Sequence, residues 1–556
     1  MYTVIFKIEG SKDVKTIAQP GDSLYALMET NGIEIDAPCS GNGTCGKCRV
    51  RIISGAVEME NNPRLSKEDY NDGWRLACQS KVIGDAVVWV PQTASAFKKN
   101  IITADLSTPE ELERYEKAVS DIFAAGIKEG TAAEGVGVAI DIGTTTVTGA
   151  MLDLKSGKIL SKASLGNGQI KYGADVINRI IQQSKEGGVE KLRKAVREDT
   201  VINIMETLCS GAGKSAADIS RIVIAGNTTM EHLFLGADGQ SIRLEPYVPE
   251  FLAHEPMLCK DAGLPAGEGA MLYLAPNVGS YVGGDITAGV LPAMLWNRED
   301  MNLFIDLGTN GELVLGNSEF MFTCACSAGP AFEGGDISNG MRAMNGAVDS
   351  CEIDPETMEP VLHTIGDAKP LGLCGSGLIS IISELFEGGI ISAKGKFVKE
   401  GSRVRYNEYG GGEYIFATAE ESGSGRELTI NESDLDNFIR AKAAIFSAIR
   451  TMLNAVDMTV ENIDHIIIAG GIGSGINIEK AIKIGMLPKQ PVEKYSYIGN
   501  SSLTGACAML LSDAAEAKVG EIASNMTYLE LSTHPGYMDE FVAACFIPHT
   551  NADLFD

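Results

Sequence analysis

The sequence predicts a multidomain protein of mixed α+β and α/β class: a small module, a connector, and two similar α/β lobes. Three observations carry this. The chain has 556 residues, and domains usually run to about 100–200 residues, so three or four cores are needed. Four of its 12 cysteines fall within the first 78 residues. Two strand-and-turn segments recur in the same order through the rest of the chain, the mark of a repeated fold.

The first module spans residues 1–92. Two β-rich stretches, Thr3–Glu9 and Val14–Gln19, bracket a turn, and Ser23 opens a short helix with Leu24, Leu27 and Met28 on one face. A glycine-rich cysteine loop follows, then strands over Cys48–Ile53 and Ala86–Val90. Residues 93–134 read as a helical linker and hinge. Thr108-Pro109-Glu110-Glu111 supplies an N-cap, a first-turn proline and a capping-box glutamate. Leu112, Tyr115, Val119, Ile122 and Phe123 repeat at helical spacing, and the glycine-rich run from 126 to 137 predicts the hinge. The first lobe is expected over 135–298 and the second, enlarged by insertion, over 299–556.

Composition narrows the function. A hydrophobic fraction of 44% with 22% charged residues is globular. The net charge of −28 repels phosphate backbones and anionic lipid, which counts against nucleic-acid and membrane partners. Only about −2 of it belongs to residues 1–92, where 10 Lys and Arg face 12 Asp and Glu. No apolar run reaches the length of a membrane helix, and the N-terminus lacks a signal-peptide pattern. A cytoplasmic protein is expected, with the cysteines outside the N-terminal module as reduced thiols and Cys324 and Cys326 as two residues of one strand.

Cys39-x5-Cys45-x2-Cys48-x29-Cys78 offers three thiolates from one loop and a fourth from a distant segment. That is the ligand set of a [2Fe–2S] cluster. Gly41, Gly43 and Gly46 let backbone N–H groups approach the sulfurs. A four-cysteine zinc site is the alternative, but zinc ribbons pair two short knuckles. On these residues the module resembles the ferredoxin β-grasp domain, with the x5 first spacing of the adrenodoxin type.

In the lobes, Val138-Ala-Ile-Asp-Ile-Gly-Thr-Thr-Thr146 is echoed by Leu303-Phe-Ile-Asp-Leu-Gly-Thr-Asn-Gly311, and Arg221-Ile-Val-Ile-Ala-Gly-Asn-Thr228 by His465-Ile-Ile-Ile-Ala-Gly-Gly-Ile472. Each D-x-G-T segment puts a carboxylate beside a tight turn whose N–H and hydroxyl groups can hold phosphate. Asp141 and Asp306, facing across a cleft, would suit Mg²⁺ bound to ATP. Gly143, Thr144 and Thr145 form the first turn, and Gly308, Thr309, Asn310 and Gly311 the second. Gly470, Gly471 and Gly473 follow an apolar strand where a nucleoside could lie against bare backbone. Gly283-Gly-Asp285 and Gly375-Ser-Gly377 either line this cleft or serve helix packing. This half resembles the actin, sugar-kinase and Hsp70 ATPases, which implies two ribonuclease-H-like lobes closing on ATP.

Joined in this order, the two halves resemble the reductive activators of corrinoid proteins, and the C-terminal segments Tyr528-Leu-Glu-Leu-Ser and Asp539-Glu-Phe-Val extend the likeness. The resemblance implies ATP-dependent transfer of one electron from the cluster to a Co(II) cobamide, regenerating Co(I). It implies a corrinoid protein as partner and an upstream low-potential electron donor, and it is compatible with a homodimer. No D-x-H-x2-G cobamide motif is present, and His232 and His465 read as satisfied histidines, so the corrinoid belongs to the partner. Three rivals stand beside this reading: a small-molecule kinase carrying a ferredoxin domain with Asp141 or Asp306 as base, an ATP-switched electron-transfer protein, and an activator of radical dehydratases, against which the N-terminal quartet argues.

Overall fold

The computed structural model describes residues 1–33, 35, 41, 43, 46–60, 62, 64–65, 67–91, 108–173, 175–407, 410–471 and 475–555. Cys39, Cys45 and Gly473 lie outside them.

The N-terminal module is a five-stranded sheet built from β1 (Tyr2–Ile8), β2 (Val14–Ala18), β3 (Arg49–Met59), β4 (Trp74–Leu76) and β5 (Ser80–Val90), in the order β2-β1-β5-β3-β4. Alternate residues of the central strands and one face of the helix Leu24–Thr30 share a core of Val4, Phe6, Leu24, Met28, Val50, Val82 and Val88. This is the expected ferredoxin arrangement. β3 runs past the Ile53 end expected for it because two register shifts let it follow β5. At Gly55, with φ +102°, a Cβ would sit 2.0 Å from the Asp85 carbonyl, so only glycine fits there.

The two lobes repeat one topology. In the first, β6 (Val136–Ile142), β7 (Thr146–Asp153), β8 (Ile159–Gly166), β9 (Ile219–Gly226), β10 (Met257–Leu258) and β11 (Met271–Leu274) order as β10-β11-β9-β6-β7-β8. In the second, β12 (Asn302–Leu307), β13 (Gly311–Gly316) and β14 (Met321–Cys326) form an antiparallel meander, and the strand His465–Ala469 lies parallel to β12, as β9 lies parallel to β6. Asp141 pairs with Ala225 and Asp306 with Ala469, so the two sequence echoes occupy equivalent register positions. The enlargement of the second lobe holds two three-stranded sheets between Ala347 and Asn431.

Between the lobes lie the helices Gly284–Ala293 and Ser501–Leu511, each buried almost all round. Their core draws Ala139 and Val223 from one sheet and Phe304, Val314 and Ile467 from the other. They touch backbone to backbone: a Cβ on Gly505 would lie 2.0 Å from the Ala288 carbonyl oxygen.

The connector helix runs Pro109–Ala124 behind the capping box of Thr108 and Glu111. Tyr115 and Ile122 are buried against the two central helices, whereas Leu112 at the first turn is 38% exposed. The segment read above as a hinge is tied to the two-lobed body. Gly130 N–H donates to the Leu511 carbonyl (3.1 Å) and Thr131 to Asp513 (3.0 Å). The buried Arg221 guanidinium gathers Thr131, Asp513 and Glu516 while lying over the Tyr273 ring.

The central helix crossing generates a test with an internal control. Gly505→Ala should lower stability by about 1–3 kcal/mol, because the methyl group forces the helices apart. Gly520→Ala, on the helix Asp513–Asn525 with open space around it, should be neutral or gain up to about 1 kcal/mol from helix propensity. Unfolding of the full-length protein measures both. Equal midpoints for the two variants would show that the crossing is not tight.

Candidate functional site

The cleft is built by the ends of equivalent strands. Asp141 closes β6 and Asp306 closes β12, and the start of each central helix delivers a partner to them. Asn500 Nδ2 donates to Asp141 Oδ2 and Ser502 Oγ to Asp141 Oδ1, both at 2.9 Å. Asp285 enters from the first turn of the helix Gly284–Ala293. Burial, and then the charges of Asp141 and Asp306, push its carboxyl well above the usual range. Glu312 on β13 is raised in the same way by burial, Asp285 and Asp306. Four carboxyl groups thus repel one another in a partly dry space, which a divalent cation would relieve. Among the described residues no three of them converge tightly enough to ligate an ion unaided. A pair of such carboxylates suits Mg²⁺, which takes one or two carboxylates and completes its shell with water and phosphate oxygens.

The two Asp-Gly-Thr turns meet directly. Thr145 Oγ1 and Thr309 Oγ1 are 2.7 Å apart, and Glu333 Oε2 accepts from both, at 2.8 and 2.7 Å. Thr144 instead turns inward. Its hydroxyl accepts from Asn227 Nδ2 (3.1 Å) and its carbonyl from Arg179 Nη2 (2.5 Å), so it holds the turn in place. Arg179 is fully buried, and desolvation lowers its pKa to about 9, against the opposing pull of Asp175 and Glu333. Its hydrogen bonds go to the Gly173 and Thr144 carbonyls, Gln169 and Met230 Sδ. It thus sets a positive charge beneath the first turn. Asn310 bonds to Glu312 and so counters part of that carboxyl's rise.

At the Ala-Gly-Gly turn of the second lobe, Gly470 has φ +92°, and a Cβ there would lie 2.4 Å from the Leu307 carbonyl and 2.8 Å from Asp306 Oδ1. Only glycine lets this turn close on the second phosphate strand. Its N–H donates to the Gly499 carbonyl and its carbonyl accepts from Tyr497 OH, both at 3.1 Å, while Gly471 faces open space. Ser376, in the flagged Gly375-Ser-Gly377 run, faces Gly475 beside this turn, whereas Gly377 packs under the Val348 carbonyl. The structure thus brings Asp141, Asp306, Thr145, Thr309 and Gly470 to one cleft. Sequence reasoning missed Arg179, Glu333, Asn500 and Ser502, which carry no local signature. Asp285 and Glu312 sat inside motifs already noticed.

In the cysteine loop, Cys48 and Cys78 bring their Sγ atoms to 3.3 Å, too far for a disulfide and close enough to share one centre. Gly41, Gly43 and Gly46 all have positive φ, at 87°, 77° and 70°. A Cβ on Gly43 would collide with Gln79, whose amide lies 3.9 Å from Cys78 Sγ. The thiolate pair and the tight loop fit a [2Fe–2S] cluster. Lys47, inside this loop, donates to the Gly334 carbonyl of the second lobe at 3.4 Å.

Three family models match the chain: a 2Fe-2S iron-sulfur cluster binding domain over residues 6–82, the RACo middle region over 136–298, and the C-terminal domain of RACo, the ASKHA domain, over 300–556. The corrinoid activation enzyme RamQ of Eubacterium limosum is 33% identical, with 92% of this chain and 94% of that protein covered. The [Co(II) methylated amine-specific corrinoid protein] reductase of Methanosarcina barkeri is 23% identical, with 70% and 73% covered. A solved structure titled reductive activator for corrinoid,iron-sulfur protein aligns over 100% of both chains at 39% identity with a TM-score of 0.71. With a ferredoxin module joined to two lobes that enclose a carboxylate-lined cleft, this chain belongs to the family of reductive activators of corrinoid proteins.

Proposed function

We propose that nucleotide bound between the two Asp-Gly-Thr turns drives reductive activation of a corrinoid protein by the cysteine-bound cluster. The single observation that carries this is the juxtaposition of the two modules: the cysteine loop leans on the same second-lobe segment that touches both phosphate turns. When bound by Cys39, Cys45, Cys48 and Cys78, the [2Fe–2S] cluster supplies the one electron that returns Co(II) cobamide to Co(I). Asp141 and Asp306, with Asp285 and Glu312 behind them, would hold Mg²⁺ against the phosphates. Thr145 and Thr309 donate hydroxyls to phosphate oxygens, Thr144 with Asn227 and Arg179 keeps the first turn rigid, and Gly470 and Gly471 leave room for the nucleoside. The remaining turn residues, Gly143, Gly308 and Gly311, let the backbone bend close to phosphate.

Plant-type clusters lie near about −400 mV, and the cobamide couple expected from the family is lower still, so the step runs uphill. Each 100 mV costs about 2.3 kcal/mol for one electron. Differential binding of two partner states is commonly worth about 1–3 kcal/mol, so nucleotide-paced docking is a sufficient source. An upstream low-potential donor must reload the cluster. The eight cysteines outside the quartet are all thiols, which suits the reducing cytoplasm, and among the described residues no helix is long and apolar enough to cross a membrane.

Three measurements test this reading. Anaerobically purified protein should hold two irons and two sulfides per chain, and Cys78→Ser should lose the visible absorbance while still binding nucleotide. Stoichiometric zinc without colour would refute the cluster. Asp306→Asn and Asp285→Asn should each slow ATP hydrolysis, Asp306→Asn by about 10²-fold, as for loss of one pre-organised electrostatic group. Parent rates in both would remove the cleft from catalysis. Finally, reduced protein mixed with a Co(II) corrinoid protein should form Co(I), read by absorbance, in higher yield with Mg·ATP. Equal yield without nucleotide would uncouple ATP from the electron step.

A further inference from the structure

Glu333 connects features that otherwise lie apart. Its carboxylate accepts one hydroxyl from each phosphate turn, Thr145 and Thr309, and it is among the charges that act on the buried Arg179 guanidinium. The next residue, Gly334, gives its carbonyl to Lys47, one position before Cys48. A few residues on, Ser338 donates through both N–H and Oγ to Asp434 Oδ1, at 2.8 and 3.0 Å. Asp434 lies in the field of Arg64, whose side chain packs under Gly46 of the cysteine loop. One short segment of the second lobe therefore touches the phosphate turns at one residue and the ferredoxin module at its neighbours.

Two converging hydroxyls beside a buried cation are groups that recognise an anion, and a carboxylate oxygen presents to them the same charged acceptor as a terminal phosphate oxygen. We propose that Glu333 is a positioning residue that holds the place of a nucleotide phosphate between Thr145 and Thr309 and, on yielding it, withdraws Gly334 from Lys47 and loosens the cysteine loop. This rests on the reading of the cleft as a nucleotide site. The segment turns sharply at both ends, with Gly334 packed against the Met341 backbone. Glu333 ends a single turn, Pro330–Glu333, bounded by Gly329 and Gly334 with φ of 74° and 73°. Linkage makes the effect reciprocal: a docked ferredoxin module disfavours nucleotide to the same extent that nucleotide disfavours docking. The interaction at Lys47 is a single long, part-buried hydrogen bond to a carbonyl, so little energy opposes its breaking.

The test uses full-length holoprotein, titrated calorimetrically with magnesium and a non-hydrolysable ATP analogue, with hydrogen exchange followed over residues 46–50 and 329–341. In the parent protein the analogue should raise exchange in both segments. Glu333→Gln, which keeps shape and removes charge, should bind the analogue about tenfold more tightly and show raised exchange before any nucleotide is added. Lys47→Ala should also tighten binding, and the two substitutions together should be less than additive, because they act through one relay. If the parent binds no nucleotide, the cleft reading itself fails. If the parent binds but Glu333→Gln leaves affinity unchanged and lowers only the hydrolysis rate, Glu333 serves the chemistry and the proposal is overturned. Should Glu333→Gln not fold, unchanged affinity in Lys47→Ala with no response at 46–50 overturns it equally.

Discussion

The approach of the helices Gly284–Ala293 and Ser501–Leu511 governs the cleft. Where Gly505 meets the Ala288 carbonyl, no side chain separates the two backbones. That closeness lets Asp285 at one helix start and Asn500 and Ser502 at the other reach the same strand end, Asp141. A bulkier crossing would leave the two sheets packed on a helix pair but would draw these groups apart. The hydrophobic core shared between the sheets thus also sets the spacing of the charged site, so packing and electrostatics have one origin.

Much of this was legible in the sequence because repetition is a one-dimensional signal. The two D-x-G-T segments and the two apolar strands ending in Ala-Gly predicted two equivalent sheets, and the register of Asp141 against Ala225 and Asp306 against Ala469 follows that equivalence. The capping box at Thr108 and the apolar face of Leu24, Leu27 and Met28 were equally readable. What stayed hidden was assembled from distant segments. Arg179 supports a turn 35 residues away in sequence and Glu333 bridges turns 188 and 24 residues away, with nothing local to mark either. Leu112 fell on the periodic face but at the exposed first turn. The glycines near 126–137 suggested freedom, yet Arg221 and the residues after Leu511 hold that segment. Composition reports what the backbone is able to do, and tertiary contacts decide what it does.

Charge is partitioned to match. Nearly all of the net −28 resides in the ATPase body, and the near-neutral module turns Lys47 and Arg64 toward it. Single contacts of this kind contribute little each, about 1 kcal/mol for an ordinary hydrogen bond. A few polar contacts orient the module against the second lobe.

The duplication also bears on the turns. Two equivalent lobes offer two equivalent Ala-Gly turns, but they have diverged. In the first lobe Asn227 caps the helix Thr228–Leu235 and bonds to Thr144, and the glycine-rich start of the central helix lies on it, so that a Cβ on Gly283 would be 2.4 Å from Asn227 Cα. In the second lobe a Cβ on the corresponding Gly471 would meet no described residue within 4 Å. The first turn is closed by a helix start, and its twin is not filled in this way among the described residues. A fold that is twofold in its strands is therefore not twofold at its turns, where Asn227 and Gly471 have different surroundings.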